Sequence, residues 1–82
     1  MEYVATFFSH FGAMQFARKL KREDIACQIM PVPRQLSSSC GSCVKFSTKD
    51  GVLALVDEEV EKIYRLENGS FSVAVDRMER DE

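Results

Sequence analysis

The spacing of apolar and polar positions along this chain switches repeatedly between the periods of strand and helix. Residues 3–8 (Tyr-Val-Ala-Thr-Phe-Phe) are β-branched or aromatic and apolar on both faces, which predicts a central strand covered on at least one side. Ser9 can cap a helix begun just after it. Ala13, Phe16, Ala17 and Leu20 fall at i, i+3, i+4 and i+7 while Arg18, Lys19 and Lys21 turn away, so an amphipathic helix is expected, its apolar face widened by Phe11 and Met14. Residues 26–30 form a second apolar run, ended by Pro31 and Pro33, which cannot donate to a sheet ladder. Residues 43–46 alternate weakly and predict a third strand.

The second half continues the pattern. Ser47-Thr48-Lys49-Asp50 has the spacing of a capping box with Asp in the last place, and Val52, Leu55, Val56 and Val60 continue at helical spacing beyond Gly51. A second helix is therefore expected. Residues 62–67 and 70–75 flank Asn68-Gly69, the pair that suits a type I′ turn because both central residues need positive φ. The order predicts an α+β domain, a small ferredoxin-like sandwich of β-α-β-β-α-β plus a C-terminal hairpin strand. In that plan two helices lie on one face of a mostly antiparallel sheet. Residues 1–75 read as one domain, and residues 76–82, whose charges alternate without an apolar anchor, as a flexible tail.

Composition narrows the function. The chain has 82 residues, room for one domain. Eleven basic and thirteen acidic residues give a net charge of −2, which argues against broad contact with a phosphate backbone. The cluster Arg18, Lys19, Lys21 and Arg22 falls where cations complement a helix dipole, so no nucleic-acid partner is expected. No segment approaches a membrane span and no secretory signal is visible. A cytoplasmic address is the resulting expectation. Thiols stay reduced there, and three cysteines then read as chemistry or packing rather than as a disulfide framework.

The candidate chemistry lies between the second and third strands, in Pro31-Val32-Pro33-Arg34-Gln35-Leu36-Ser37-Ser38-Ser39-Cys40-Gly41-Ser42-Cys43. Two prolines stiffen its entry, an arginine comes next, and small hydroxyl residues lead to a thiol. Arg34 could stabilise a thiolate by charge-assisted contact, Ser37, Ser38 and Ser39 offer hydroxyl and amide donors to an anion, and Gly41 permits close approach or positive φ. Any flexible loop also contains serine and glycine. Cys40 and Cys43 form a Cys-x-x-Cys pair. Cys43 is either a resolving thiol or a small apolar residue opening a strand. The pair as half of a zinc site lacks a second ligand pair, since Cys27 and His10 stand at no ligand spacing; no metal is expected.

The Pro-Arg…Ser-Ser-Ser-Cys-Gly string resembles that of the small bacterial domains described as putative Se/S carrier protein-like. Their members carry a very similar Pro-x-Pro-Arg-x-Ile/Leu-Ser-Ser-Ser-Cys-Gly segment between the second and third strands. The likeness covers roughly residues 3–66. The chain departs from the family where a glycine usually ends the first helix: Glu23-Asp24 stands there, and one residue would have to adopt a left-handed conformation. The resemblance implies that Cys40 holds a persulfide or its selenium analogue. It further implies sulfur or selenium donor and acceptor proteins as partners, a cysteine desulfurase among the donors.

One thiol and one arginine provide a nucleophile and an electrostatic partner but no general acid or base, so a carrier rather than an enzyme is expected, with no cofactor. Two other readings stay open: a thiol redox module using Cys40 and Cys43, and a noncatalytic interaction domain, as a homodimer through the added hairpin edge. Outside the loop, Cys27 reads as buried packing, Phe7, Phe8, Phe11 and Phe16 as core, and Asp57-Glu58-Glu59-Glu61 as a solvated acidic face that could dock a basic partner; His10 reads as an exposed helix-start residue, or one near the loop if the sheet brings strand ends together.

Overall fold

A computed structural model describes residues 1–49 and 51–76. The elements are β1 (Glu2–Phe7), α1 (His10–Arg22), β2 (Cys27–Pro31), β3 (Ser42–Ser47), a single 3-10 turn (Val52–Leu55), β4 (Val60–Glu67) and β5 (Ser70–Asp76). The strands form one sheet in the order β2-β3-β1-β4-β5, every neighbouring pair antiparallel. β1 lies at the centre, as its two-faced apolar pattern requires: Val4, Ala5, Thr6 and Phe7 are all buried.

α1 begins and ends as its sequence dictates. The Ser9 hydroxyl accepts from the Gly12 amide at 3.1 Å, an N-cap bond. At the other end Asp24 takes φ 60°, with the Asp24 amide on the Lys21 carbonyl at 3.1 Å and the Ile25 amide on the Leu20 carbonyl at 2.8 Å. That is a Schellman closure made without glycine. Ala13, Phe16, Ala17 and Leu20 pack on the sheet face that carries Ala5, Phe7, Val44, Phe46, Val60 and Ile63. Phe11 and Met14 do not widen this face; they are 64% and 40% exposed, and Phe8 is 40% exposed, so only Phe7 and Phe16 of the expected aromatic core are in it.

The expected second helix is absent from the described residues. Ser47 closes β3 and is not free to cap a helix, and the helical spacing from Val52 is broken after one turn. Val56 is extended (φ −67°, ψ 133°), and Val60 joins β4, where it faces Phe7. Asp50, the last residue of the anticipated capping box, lies outside the described residues. One helix and one short turn cover this face in place of two helices. Lys19 holds the turn to α1, its ammonium donating to the Leu55 carbonyl at 2.7 Å and to Asp57 at 3.1 Å. The cation is a tether here as well as a complement to the helix dipole.

The hairpin forms as Asn68-Gly69 predicts, with φ 51° and 78°. Asp76 ends β5, and the rest of the anticipated tail, 77–82, lies outside the described residues.

The link into β4 comes unusually close to α1. A Cβ on Gly12 would sit 2.5 Å from the Glu59 Cβ, and the Glu59 carboxylate accepts from the Ser9 hydroxyl at 2.8 Å. Glu59 thereby places a negative charge at a helix start that has no acidic residue in its own first turn. In an open helix, glycine-to-alanine stabilises by about 1 kcal/mol. Here the sign reverses: Gly12→Ala should destabilise by about 1–3 kcal/mol, because the obstructing atom is fixed by backbone rather than at the end of a flexible chain. Urea or thermal melting of the variant measures it.

Candidate functional site

Residues 32–41 leave the β2–β3 edge and cross the sheet face opposite α1. The Val32 amide donates to the Gly41 carbonyl at 3.2 Å and closes the base of the loop. The Leu36 amide reaches the Pro33 carbonyl at 3.0 Å, so Pro33 to Leu36 form a turn with Arg34 and Gln35 exposed at its tip. Leu36 then lines a shallow groove with Tyr64, Phe71 and Val73 of the C-terminal hairpin.

The three serines meet β4 next. Ser38 Oγ lies 2.9 Å from Glu61 Oε1 and 3.2 Å from the Phe7 carbonyl, and its oxygen accepts from the Cys40 amide at 3.3 Å. Ser39 donates twice to Glu61, from Oγ at 2.8 Å and from its amide at 3.3 Å. Glu61 is 5% exposed. A carboxylate is removed from water only when donors replace its hydration, and Ser38 and Ser39 provide them. The strand geometry explains why the side chain arrives here. Pairing with β1 runs Thr6 to Lys62 and then Phe7 to Val60, skipping Glu61, so the glutamate is the extra residue of a bulge. Bulges re-aim side chains in this way.

The structure places each residue singled out in the sequence, and the acidic run differs from its expected role. Glu61 and Glu59 are not a solvated face; each anchors another segment. The donors of Ser38 and Ser39 meet the protein's own carboxylate, while Ser37 is exposed. Among the described residues no hydrogen bond or ion pair joins Arg34 to Cys40. Gly41 lacks a positive φ, and a Cβ placed on it would meet no atom within 4 Å, so the fold itself would accept a side chain there. Cys27 packs half-buried against the core, its thiol 3.6 Å from the Ala17 carbonyl.

Cys40 is half-buried and its sulfur is held by its own chain two residues on. The Ser42 amide donates to Sγ at 3.3 Å, and Sγ lies 3.7 Å from the Ser42 carbonyl. A thiolate finds a donor there and a thiol an acceptor. Ser42 Oγ is also 2.9 Å from His10 Nδ1, so the helix start reaches the thiol loop. His10 thus lies near the loop, as joined strand ends allow, across a separation of 32 residues. Cys43, on β3 opposite Thr6, is fully buried with its thiol 3.6 Å from the Pro31 carbonyl. Burial, and secondarily the charge of Cys40, push its pKa up to about 11. All three cysteines are free, and among the described residues no group of three or more His, Cys, Asp or Glu side chains is arranged to hold a metal ion.

The family model described as "putative Se/S carrier protein-like" matches residues 2–65, most of the chain and all of the loop. Comparisons with curated proteins and with solved structures found no match.

Two outcomes test the site's physics. Glu61→Ala should lower stability by about 1.5–3 kcal/mol and speed amide hydrogen exchange at Ser39 and Cys40 ahead of the core strands, since it leaves charge-paired donors without a partner. At Cys43, the unfolded thiol ionises near its ordinary 9.0 and the folded one near 11. The unfolded state therefore binds fewer protons between those values, and stability falls with rising pH across that window by about 3 kcal/mol. Alkaline unfolding of Cys43→Val, compared with the native chain, should lack that component.

Proposed function

The chain belongs to the putative Se/S carrier protein-like family, and on that premise we propose that Cys40 accepts a sulfur or selenium atom from a donor protein and passes it to an acceptor. The observation that carries this reading is the Cys40 sulfur itself: partly accessible, met by the Ser42 amide, on a loop clamped by the buried Glu61. A carrier needs a nucleophilic thiol held where two different proteins can reach it.

The transfer balances without an external oxidant. The Cys40 thiolate attacks the terminal sulfur of a donor persulfide; the donor's sulfur–sulfur bond breaks, a new one forms at Cys40, and the electron pair leaves with the donor cysteine as its thiolate. Delivery repeats the exchange in the other direction. The protein's part is to hold the sulfur in place; turnover belongs to the donor and the acceptor, so the chain is a carrier rather than an enzyme. Arg34, exposed at the turn tip, and Ser37 beside it are available to a visiting protein, and Gly41 leaves open space next to the thiol for its approach.

The redox alternative fares less well. A resolving thiol must attack as the thiolate, and with a pKa of about 11 Cys43 holds roughly one part in ten thousand of that form at pH 7. Burial favours Cys43 as packing.

Incubation with a cysteine desulfurase and its substrate, followed by intact mass spectrometry, checks the proposal. A gain of one sulfur atom is expected on the native protein and on Cys27→Ser, and none on Cys40→Ser. A native protein that stays unmodified with several sulfur and selenium donors sinks it.

A further inference from the structure

We propose that His10 is a positioning residue for Cys40, acting through Ser42 to set how readily the Cys40 sulfur reacts. The proposal rests on Cys40 being the working thiol and extends that reading to a residue on another element.

Ser42 is bonded to both groups. Its backbone amide and carbonyl are the partners of the Cys40 sulfur, at 3.3 and 3.7 Å, and its side chain meets His10 Nδ1 at 2.9 Å. Pairing with β2 holds the start of β3, and the His10 bond adds a hold on Ser42 from α1, next to the amide presented to the sulfur. Among the described residues, His10 is the one side chain bonded to the Ser42 hydroxyl, while the backbone beside it is held by the Val32–Gly41 bond and by pairing with Pro31.

The placement is also unfavourable for the helix alone. His10 is the first residue of α1, and a cation there opposes the dipole. The helix start is already served by Ser9 and by the Glu59 carboxylate. The exposed imidazole adds nothing to that cap, but it does bring a titratable ring to the thiol loop. The charged and titratable groups that contacts bring to this end are Glu59, Glu61, Cys40 and Cys43.

The His10–Ser42 bond survives a change of charge with its direction reversed. A neutral ring can accept from the serine hydroxyl, whereas an imidazolium must donate to the serine oxygen. In the second state a positive charge stands one hydrogen bond from Ser42, whose amide meets the sulfur.

Site-resolved alkylation of Cys40 by iodoacetamide from pH 5.5 to 9, read by peptide mass, tests this. His10→Ala and Ser42→Ala should each slow Cys40 alkylation at pH 7 by about threefold, because the amide that meets the sulfur loses its hold from α1. His10→Asn, which offers a hydrogen-bonding atom near the place of Nδ1 but cannot be protonated, should recover the native rate at pH 9. It should lack the part of the native pH dependence that protonation of the ring supplies. Native rates across the whole range in folded His10→Ala and folded Ser42→Ala overturn the proposal. A His10→Asn profile matching the native one overturns it too. Alkylation needs no sulfur donor, so a protein that takes up no sulfur yet keeps a His10-dependent profile removes the carrier reading and leaves this one standing.

Discussion

The loop that presents Cys40 depends on one buried charge. Glu61 is almost fully withdrawn from water, and a carboxylate in that position is tolerated only while hydrogen-bond donors surround it. Ser38 and Ser39 are those donors. The dependence runs in both directions. Without the serines the carboxylate is an uncompensated charge against the sheet; without the carboxylate the serine segment has no reason to lie on β4. The connection from Val32 to Gly41, with no strand or helix of its own, is thereby given a fixed path at low cost in core volume.

The bulge in β4 and the clamp are two aspects of the same arrangement. The register irregularity opposite Thr6 and Phe7 releases Glu61 from the ladder, and Ser38 bonds both that glutamate and the Phe7 carbonyl. The central strand therefore touches the functional loop through its own backbone. Just before Glu61, Glu59 makes the corresponding attachment on the other side of the sheet, to the start of α1. The entry to β4 joins the thiol loop and the helix that carries His10, so both partners of Ser42 are referenced to one short stretch of chain.

Much of the fold is legible in the sequence because the signals are local. Asn68-Gly69 needs two residues with positive φ, and the hairpin has them; the 3.6-residue spacing of Ala13, Phe16, Ala17 and Leu20 defines a buried stripe, and they form it. Asp24 takes the left-handed conformation that a missing glycine requires of some residue there. The second helix fails because Val52, Leu55, Val56 and Val60 have helical spacing in a link too short to use it, with Ser47 and Val60 already claimed by strands. At the site, the thiol and its serines are visible as composition, and His10 as a residue that joined strand ends could bring to the loop, but Glu61 is not. Whether an acidic residue is solvated or buried depends on donors 22 residues away, and nothing adjacent to Glu61 announces them. A strand begun at Val60 would have placed a charge between two buried aliphatic residues, the one sequence signal available.

On the proposed carrier reading, the burial of Cys43 also bears on how long an atom would stay on Cys40. A persulfide on Cys40 can be lost within the molecule if a second thiolate attacks the inner sulfur, forming a disulfide and expelling hydrosulfide. Cys43 is near enough for the charge of Cys40 to be felt, but it sits at the start of β3 with its proton held to a pKa of about 11 and its sulfur directed to the Pro31 carbonyl. That attack is disfavoured by burial first and by the charge of Cys40 second. On that reading the residence time of a bound atom would be set by the encounter with the next protein rather than by the neighbouring thiol.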